Sequence, residues 1–149
     1  MASGRQLLIP LAGPGQWDEQ LVGGKAAKLA ELSLAGFDVP QGFCLTTRAY
    51  EAFVNDAGIE AAIRMELGRK SMDDMRWEEI WDAALRIRAK FLAQPLSGSL
   101  RETIAAGLRG LDAGATLAVR SSAVGEDSAG RSFAGLHESI IGVRGRQAV

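Results

Sequence analysis

Cysteine is almost absent from this chain: Cys44 stands alone among 149 residues. An internal disulfide is therefore excluded, and the expected setting is a reducing cytoplasm. Set within the apolar run Gly42–Leu45, Cys44 is expected to pack as a small buried hydrophobe. Histidine is equally scarce. With His137 as the sole imidazole, no Ser–His–Asp set can be assembled, and no Cys/His spacing suits a metal ion. An excess of charge of one sign is missing too: 17 Lys and Arg balance 18 Asp and Glu, and no basic cluster exceeds two residues. Electrostatic capture of nucleic acid or of an anionic membrane is not expected from such a surface. The apolar run near the N-terminus is short and broken by Pro10, unlike a signal h-region or a membrane span. Internal repeats and low-complexity tracts are lacking as well.

What remains is a globular composition, 47% apolar and 23% charged, on a chain long enough for one sizeable core. Residues Leu7–Leu11 read as a short strand ended by the turn Gly13–Pro14–Gly15. A helix is predicted from about Gly24 to Ala35, with Gly36 as a left-handed stop and Pro40 soon after. Gly42–Thr46 reads as a buried strand, and Thr47 as the N-cap of a helix to about Asp56 with Tyr50, Phe53 and Val54 on its apolar side. Ile59–Leu67 continues the helical pattern. Trp77, Ile80, Trp81, Ala84, Leu85, Arg88 and Leu92 recur at steps of three and four, predicting a helix over 77–92 with both tryptophans in the core. Asp73–Asp74 is expected to begin that helix. Ser99–Glu102 has the form of a capping box for a further helix with Ile104, Leu108 and Leu111 inward. Thr116–Arg120 and Glu138–Val143 then read as strands of a hairpin with a long mobile tip at Gly125–Gly135. The order of elements implies an α+β fold, helices on a small mixed sheet.

Two constellations could bind an anion. In Val22–Gly23–Gly24–Lys25, paired glycines precede a helix whose N-terminus carries roughly half a positive charge. A lysine in that first turn is unfavourable by about 0.3–1 kcal/mol unless an anion is drawn in. The run is not a P-loop, since the upstream glycine is missing and Ala26 stands where Ser or Thr belongs. In LAVRSSAVGEDSAGRSFAG (117–135), Arg120 ends an apolar run before Ser121, Ser122 and a loop of small residues. A guanidinium held at a strand end offers a planar charged fork to phosphate oxygens, and the loop could fold over them with Phe133 as its anchor. By residues alone, Lys25 could equally be a solvated surface lysine, and Arg120 could pair with Glu126 or Asp127. His137 could be a polar packing residue.

Together, LVGGKAAKLAEL, VPQGFCLTTRAYEAF and AVRSSAVGEDSAGRSFAGLHES, in this order from Leu21 to Gly145, resemble the N-terminal nucleotide-binding region of the phosphoenolpyruvate-utilising enzymes. That group includes phosphoenolpyruvate synthase, pyruvate phosphate dikinase and the rifampicin phosphotransferases. The resemblance implies the first subdomain of an ATP-grasp fold, residues 1–149 being part of a longer multidomain enzyme. It implies that Lys25 and Arg120 contact ATP phosphates and act in catalysis, with Gly135 and Ser139 on the hairpin closing over them. Serine stands at 139 where relatives often carry threonine, and keeps the hydroxyl. Arg131 is an added basic residue in the loop, placed to touch a phosphate or to face solvent. The implied reaction moves a phosphoryl group from ATP to a histidine on a separate swivelling domain, then to an acceptor such as pyruvate. Implied partners are ATP, the downstream ATP-grasp subdomain and the phosphohistidine domain, with Mg²⁺ held by carboxylates outside this chain. His137 does not sit in the phosphohistidine motif. Alternatives are an antibiotic-modifying enzyme of the rifampicin type, towards which VPQGFCLTTRAYEAF and GLHES lean, and a non-catalytic nucleotide-binding module.

Overall fold

A computed structural model of the chain describes residues 6–12, 17–112, 114–122, 124 and 139–144. Strand β1 (Leu8–Pro10) leads to a single-turn helix α1 (Glu19–Val22) and to α2 (Gly24–Leu34). Strand β2 (Phe43–Leu45) is followed by α3 (Thr47–Asp56), α4 (Glu60–Leu67), a 3-10 turn (Met72–Asp74), α5 (Trp77–Leu92) and α6 (Gly98–Arg109). Strands β3 (Leu117–Arg120) and β4 (Ser139–Val143) complete the order. The α+β class is as the sequence implies. The single mixed sheet is not: the described strands form two separate antiparallel pairs, β1 with β2 and β3 with β4. β1 pairs only with β2 and β3 only with β4, no described strand bridges the two pairs, and α6 lies against β1.

Alternation along the first pair sets the core. Ile9 and Cys44 face one another across β1 and β2, and both are buried. They pack with Val22, Ala26 and Ala27, while Leu11, Trp17 and Leu21 close the edge. Alanines at 26, 27 and 30 let α2 lie close to the sheet. On the sheet's other face, α6 approaches so tightly that a Cβ on Gly107 would stand 2.6 Å from the Leu8 side chain and 2.9 Å from the Phe43 ring. Helix α2 ends where the sequence predicts, with Gly36 at φ 85°.

Three details differ from the sequence reading. The N-cap of α3 is Thr46, and Thr47 is already helical. Thr46 is buried and anchors the neighbouring strand: its hydroxyl donates to Gln6 O at 2.8 Å, and its N–H to Leu7 O at 3.0 Å. Thr47 instead donates its hydroxyl to Gln20 O at 3.2 Å. Asp73 and Asp74 fall in the 3-10 turn, and α5 opens at Trp77, where the Glu79 carboxylate accepts from Arg76 N at 2.8 Å. Helix α6 starts at Gly98 with Ser97 as its N-cap, two residues ahead of the predicted box.

The face of α5 is also turned. Ala83 is buried, with Ile80, Ile87 and Phe91 beside it, and Phe91 stacks on both Tyr50 and Phe53 of α3 at 5.6 Å. Trp77, Trp81, Leu85 and Leu92 lie about a third of a turn away and are exposed. The tryptophans are thus not core residues. Two apolar stripes at the same spacing share this helix, and the smaller residues of the inner one fit the gap against α3 and α4.

The candidate nucleotide site at the start of α2

The site is built around Gly23, at once the C-cap of α1 and the N-cap of α2. Asp18 starts α1 by accepting from Gln20 N at 3.0 Å, and Gly23 N closes it on Glu19 O at 2.8 Å. Gly23 takes φ 77° and ψ 162°, a region open essentially to glycine alone. This kink lets α2 start in a new direction straight after α1. It also leaves the N-cap of α2 without a side-chain oxygen.

That oxygen arrives from the far end of the chain. Ser122 Oγ accepts from Ala26 N at 3.2 Å and donates to Val22 O at 2.7 Å. The first contact is what an N-cap serine makes to the third amide of its own helix, supplied here by a residue 96 positions away. Cys44 Sγ also donates to Val22 O, at 3.4 Å, tying β2 to the same carbonyl. Closeness is essential: a Cβ on Gly23 would lie 2.6 Å from Ser122 Oγ. Two motifs far apart in the chain, Gly23–Lys25 and Arg120–Ser122, therefore meet along one seam.

Arg120 is the last residue of β3 and stands directly opposite Ser139 of β4. In an antiparallel pair such partners share a face, with Cβ atoms about 4.5–5.5 Å apart. Both are exposed, whereas Lys25 is half-buried in the first turn of α2 and has a partner within the chain. The structure thus joins the backbone around Lys25 to the strand exit that carries Arg120, and sets Ser139 beside Arg120. Gly135 lies outside the described residues, as do Arg131, Phe133, His137 and all the rest of 125–138.

Sequence reasoning grouped Ser122 with Arg120 but missed that it caps α2. The available signal was a helix start with glycine at the cap and no Ser, Thr, Asp or Asn to serve it. Ser121 contributes a second hydroxyl, buried and without a hydrogen-bond partner among the described residues. Cys44, lodged behind the seam, has its thiol pushed up by burial to about 11 and stays protonated at neutral pH. Among the described residues, no three His, Cys, Asp or Glu side chains converge as metal ligands. No described helix is long and apolar enough to cross a membrane.

A helix start capped from a distance, beside an exposed arginine on a strand end, is an arrangement suited to binding anions. Residues 19–149 match the family described as the pyruvate phosphate dikinase AMP/ATP-binding domain. The chain belongs to that family. It is 40% identical over 134 residues to a phosphoenolpyruvate synthase of Aeropyrum pernix, covering 87% of this chain and 16% of that protein. It is 36% identical over 143 residues to the phosphoenolpyruvate synthase of Escherichia coli, covering 91% of this chain and 18% of that protein. A rifampicin phosphotransferase of Streptomyces sviceus is 38% identical over 133 residues, covering 87% and 15%. The chain therefore spans less than a fifth of the length of these relatives.

Proposed function

We propose that this chain is the ATP-binding part of a phosphoenolpyruvate synthase-like or dikinase-like phosphotransferase, folded as the first subdomain of an ATP-grasp arrangement. The observation that carries the reading is the seam of Ser122 with Val22 and Ala26, which draws the lysine-bearing helix start to the arginine-bearing strand exit. Lys25 and Arg120 bind the triphosphate and neutralise the charge that spreads over its oxygens as the phosphoryl group leaves. Ser139, across from Arg120, adds a hydroxyl donor from the hairpin, and Gly135 allows the chain to close over the phosphates. Catalysis of this kind rests on positioning and electrostatics, each contact of the oxyanion type being worth about 2.7–4 kcal/mol.

The phosphoryl group passes to a histidine on a separate domain, then to an acceptor. Pyruvate is the favoured acceptor, in keeping with the phosphoenolpyruvate synthases among the relatives. The rifampicin phosphotransferase relative, almost as similar, supports an antibiotic as the alternative. Mg²⁺ would supply further neutralisation when bound, but the described residues offer no ligand set for it, and the steps above use none. The second ATP-grasp subdomain and the phosphohistidine domain complete the reaction, and the whole acts in the cytoplasm.

Titration of the isotopically labelled chain with ATP at millimolar concentration, followed by amide NMR, tests the reading. Shifts are expected at Gly23–Ala26, Arg120–Ser122 and Ser139, with Lys25→Ala and Arg120→Ala each weakening the response at least about tenfold, the loss of one charge-assisted contact. No shift at these amides, or shifts confined to α4 and α5, would refute it. Pyruvate and rifampicin as acceptors are separated by phosphate-transfer assays on an enzyme carrying this segment in its full length.

A further inference from the structure

Strand β4 meets two requirements that a regular strand cannot meet together. Ser139 stands on the face that carries Arg120, and Val143, only 7% exposed, is buried opposite Leu117. Side chains along a regular strand return to the same face at every second residue. Ser139 and Val143, an even step apart, would then share a face, and one of the two placements would be lost.

Gly142 removes the conflict. Arg120, Val119 and Ala118 pair in step with Ser139, Ile140 and Ile141, but Leu117 then pairs with Val143 and passes over Gly142. Gly142 is thus an extra residue in β4, a bulge, and its φ is 77°. Taking one residue out of the ladder changes the parity of the strand. Ser139 and Ile141 keep the face of Arg120 and Ala118, while Val143 turns to the face of Leu117. Beyond the bulge, Arg144 Nε donates to Thr116 Oγ1 at 3.2 Å and continues the register of Leu117 with Val143. A Cβ on Gly142 would meet nothing within 4 Å, so glycine serves its backbone conformation and not a want of space. The bulge does not serve burial of Ile141 either, which it leaves 80% exposed on the Arg120 face. A regular strand that kept Val143 opposite Leu117 would set Ile141 opposite Val119 and Ile140 opposite Arg120.

We propose that Gly142 is a positioning residue of the nucleotide site: its positive-φ bulge sets the register that stands Ser139, and not Ile140, across from Arg120. Gly142 acts through Ser139. The consequence for ATP rests on the reading of Arg120 and Ser139 as triphosphate contacts, whereas the register does not.

Cross-strand backbone NOEs of the isotopically labelled chain, followed by ATP titration, test it in the parent and three variants. Gly142→Asn tolerates a positive φ and should keep the Arg120–Ser139 and Leu117–Val143 contacts, with the parent's response to ATP. Deletion of Gly142 leaves a regular ladder with the same partners, so both contacts should persist there too. Gly142→Val resists a positive φ without changing the residue count. It should keep Leu117 on Val143, bring Ile140 into contact with Arg120 in place of Ser139, and weaken ATP binding about tenfold, the loss of one hydrogen bond to a charged group. An Arg120–Ser139 contact that survives in Gly142→Val, or one lost in Gly142→Asn or in the deletion, would overturn the proposal. Should valine abolish the β3–β4 pair altogether, both contacts retained in the other two variants uphold it, and their loss in either overturns it. A parent whose Ser139 amide ignores ATP counts against the nucleotide reading and leaves the register comparison standing.

Discussion

Replacing Gly23 by alanine tests whether the seam at the start of α2 is held by close packing or merely tolerated. Two separate costs apply. At φ 77° and ψ 162° an alanine is strained by about 1–3 kcal/mol. Its Cβ would also meet the Ser122 main chain and stand 2.6 Å from Oγ, an overlap costing about 1–3 kcal/mol once neighbours shift. The total is about 2–6 kcal/mol, a large fraction of the stability of a domain this size. Gly36→Ala is the matched control: φ is 85°, but nothing lies within 4 Å, so only the backbone cost of about 1–2 kcal/mol applies. Urea unfolding of the three proteins by circular dichroism, at unchanged slope, gives the comparison. Gly23→Ala should lose at least twice what Gly36→Ala loses. Equal midpoints for the two variants would refute the claim that Ser122 is packed onto Gly23.

The remaining predictions concern groups around the same framework. Ser122→Ala strands the Ala26 N–H and removes a donor from Val22 O, so unfolding free energy should fall by about 1–3 kcal/mol; a loss too small to measure would show that water replaces the hydroxyl freely. Cys44, with its thiol raised to about 11, should be alkylated in the native state at least roughly 100-fold more slowly than after unfolding, judged by thiolate fraction alone. Stability from that burial is complete below the free thiol's pKa and lost as pH climbs through the folded value, so Cys44→Ala should flatten the alkaline limb of the stability curve. Equal alkylation rates in native and unfolded protein would contradict the burial. Glu66 is buried between α4 and α5, and the hydrogen bond from Arg86, reinforced by the Arg69 and Lys90 charges, holds its carboxyl below the usual range. Its contribution is present above the ordinary glutamate pKa and disappears as pH falls through the lower folded value. Acid unfolding should therefore be shallower in Glu66→Gln than in the parent, and parallel acid limbs would count against this.

Much of the fold could be read from the sequence, because local signals and tertiary needs agree in most places. Small residues at 26, 27 and 30, with Gly36 as the stop, mark α2 and its buried side, and the alternation around Cys44 marks β2. Where the reading failed, two solutions were locally equal. Helix α5 carries two apolar stripes, and only the presence of Tyr50 and Phe53 of α3 decides for Phe91 over Trp81. Thr46 and Thr47 are chemically alike, and the choice of cap depends on Gln6, 40 residues earlier. Division into two strand pairs is set by which strands meet in space, which no local pattern announces. Lys25 and Arg120 were singled out from the residues themselves, whereas Ser139, and the grouping of all three, came from motif resemblance. Ser122, which joins the first two, escaped because its partners are about a hundred residues away.

That separation governs how the molecule comes into being. Helix α2 can coil as soon as its residues are available, yet its first turn is finished only when the chain has run on through four more helices and folded back. Closing so long a loop is slow and entropically opposed, so the cradle is among the last parts to set. A nascent chain halted after α6 would carry the lysine and its helix but not the hydroxyl that fixes their start. Competence to hold a nucleotide would therefore arrive late and all at once.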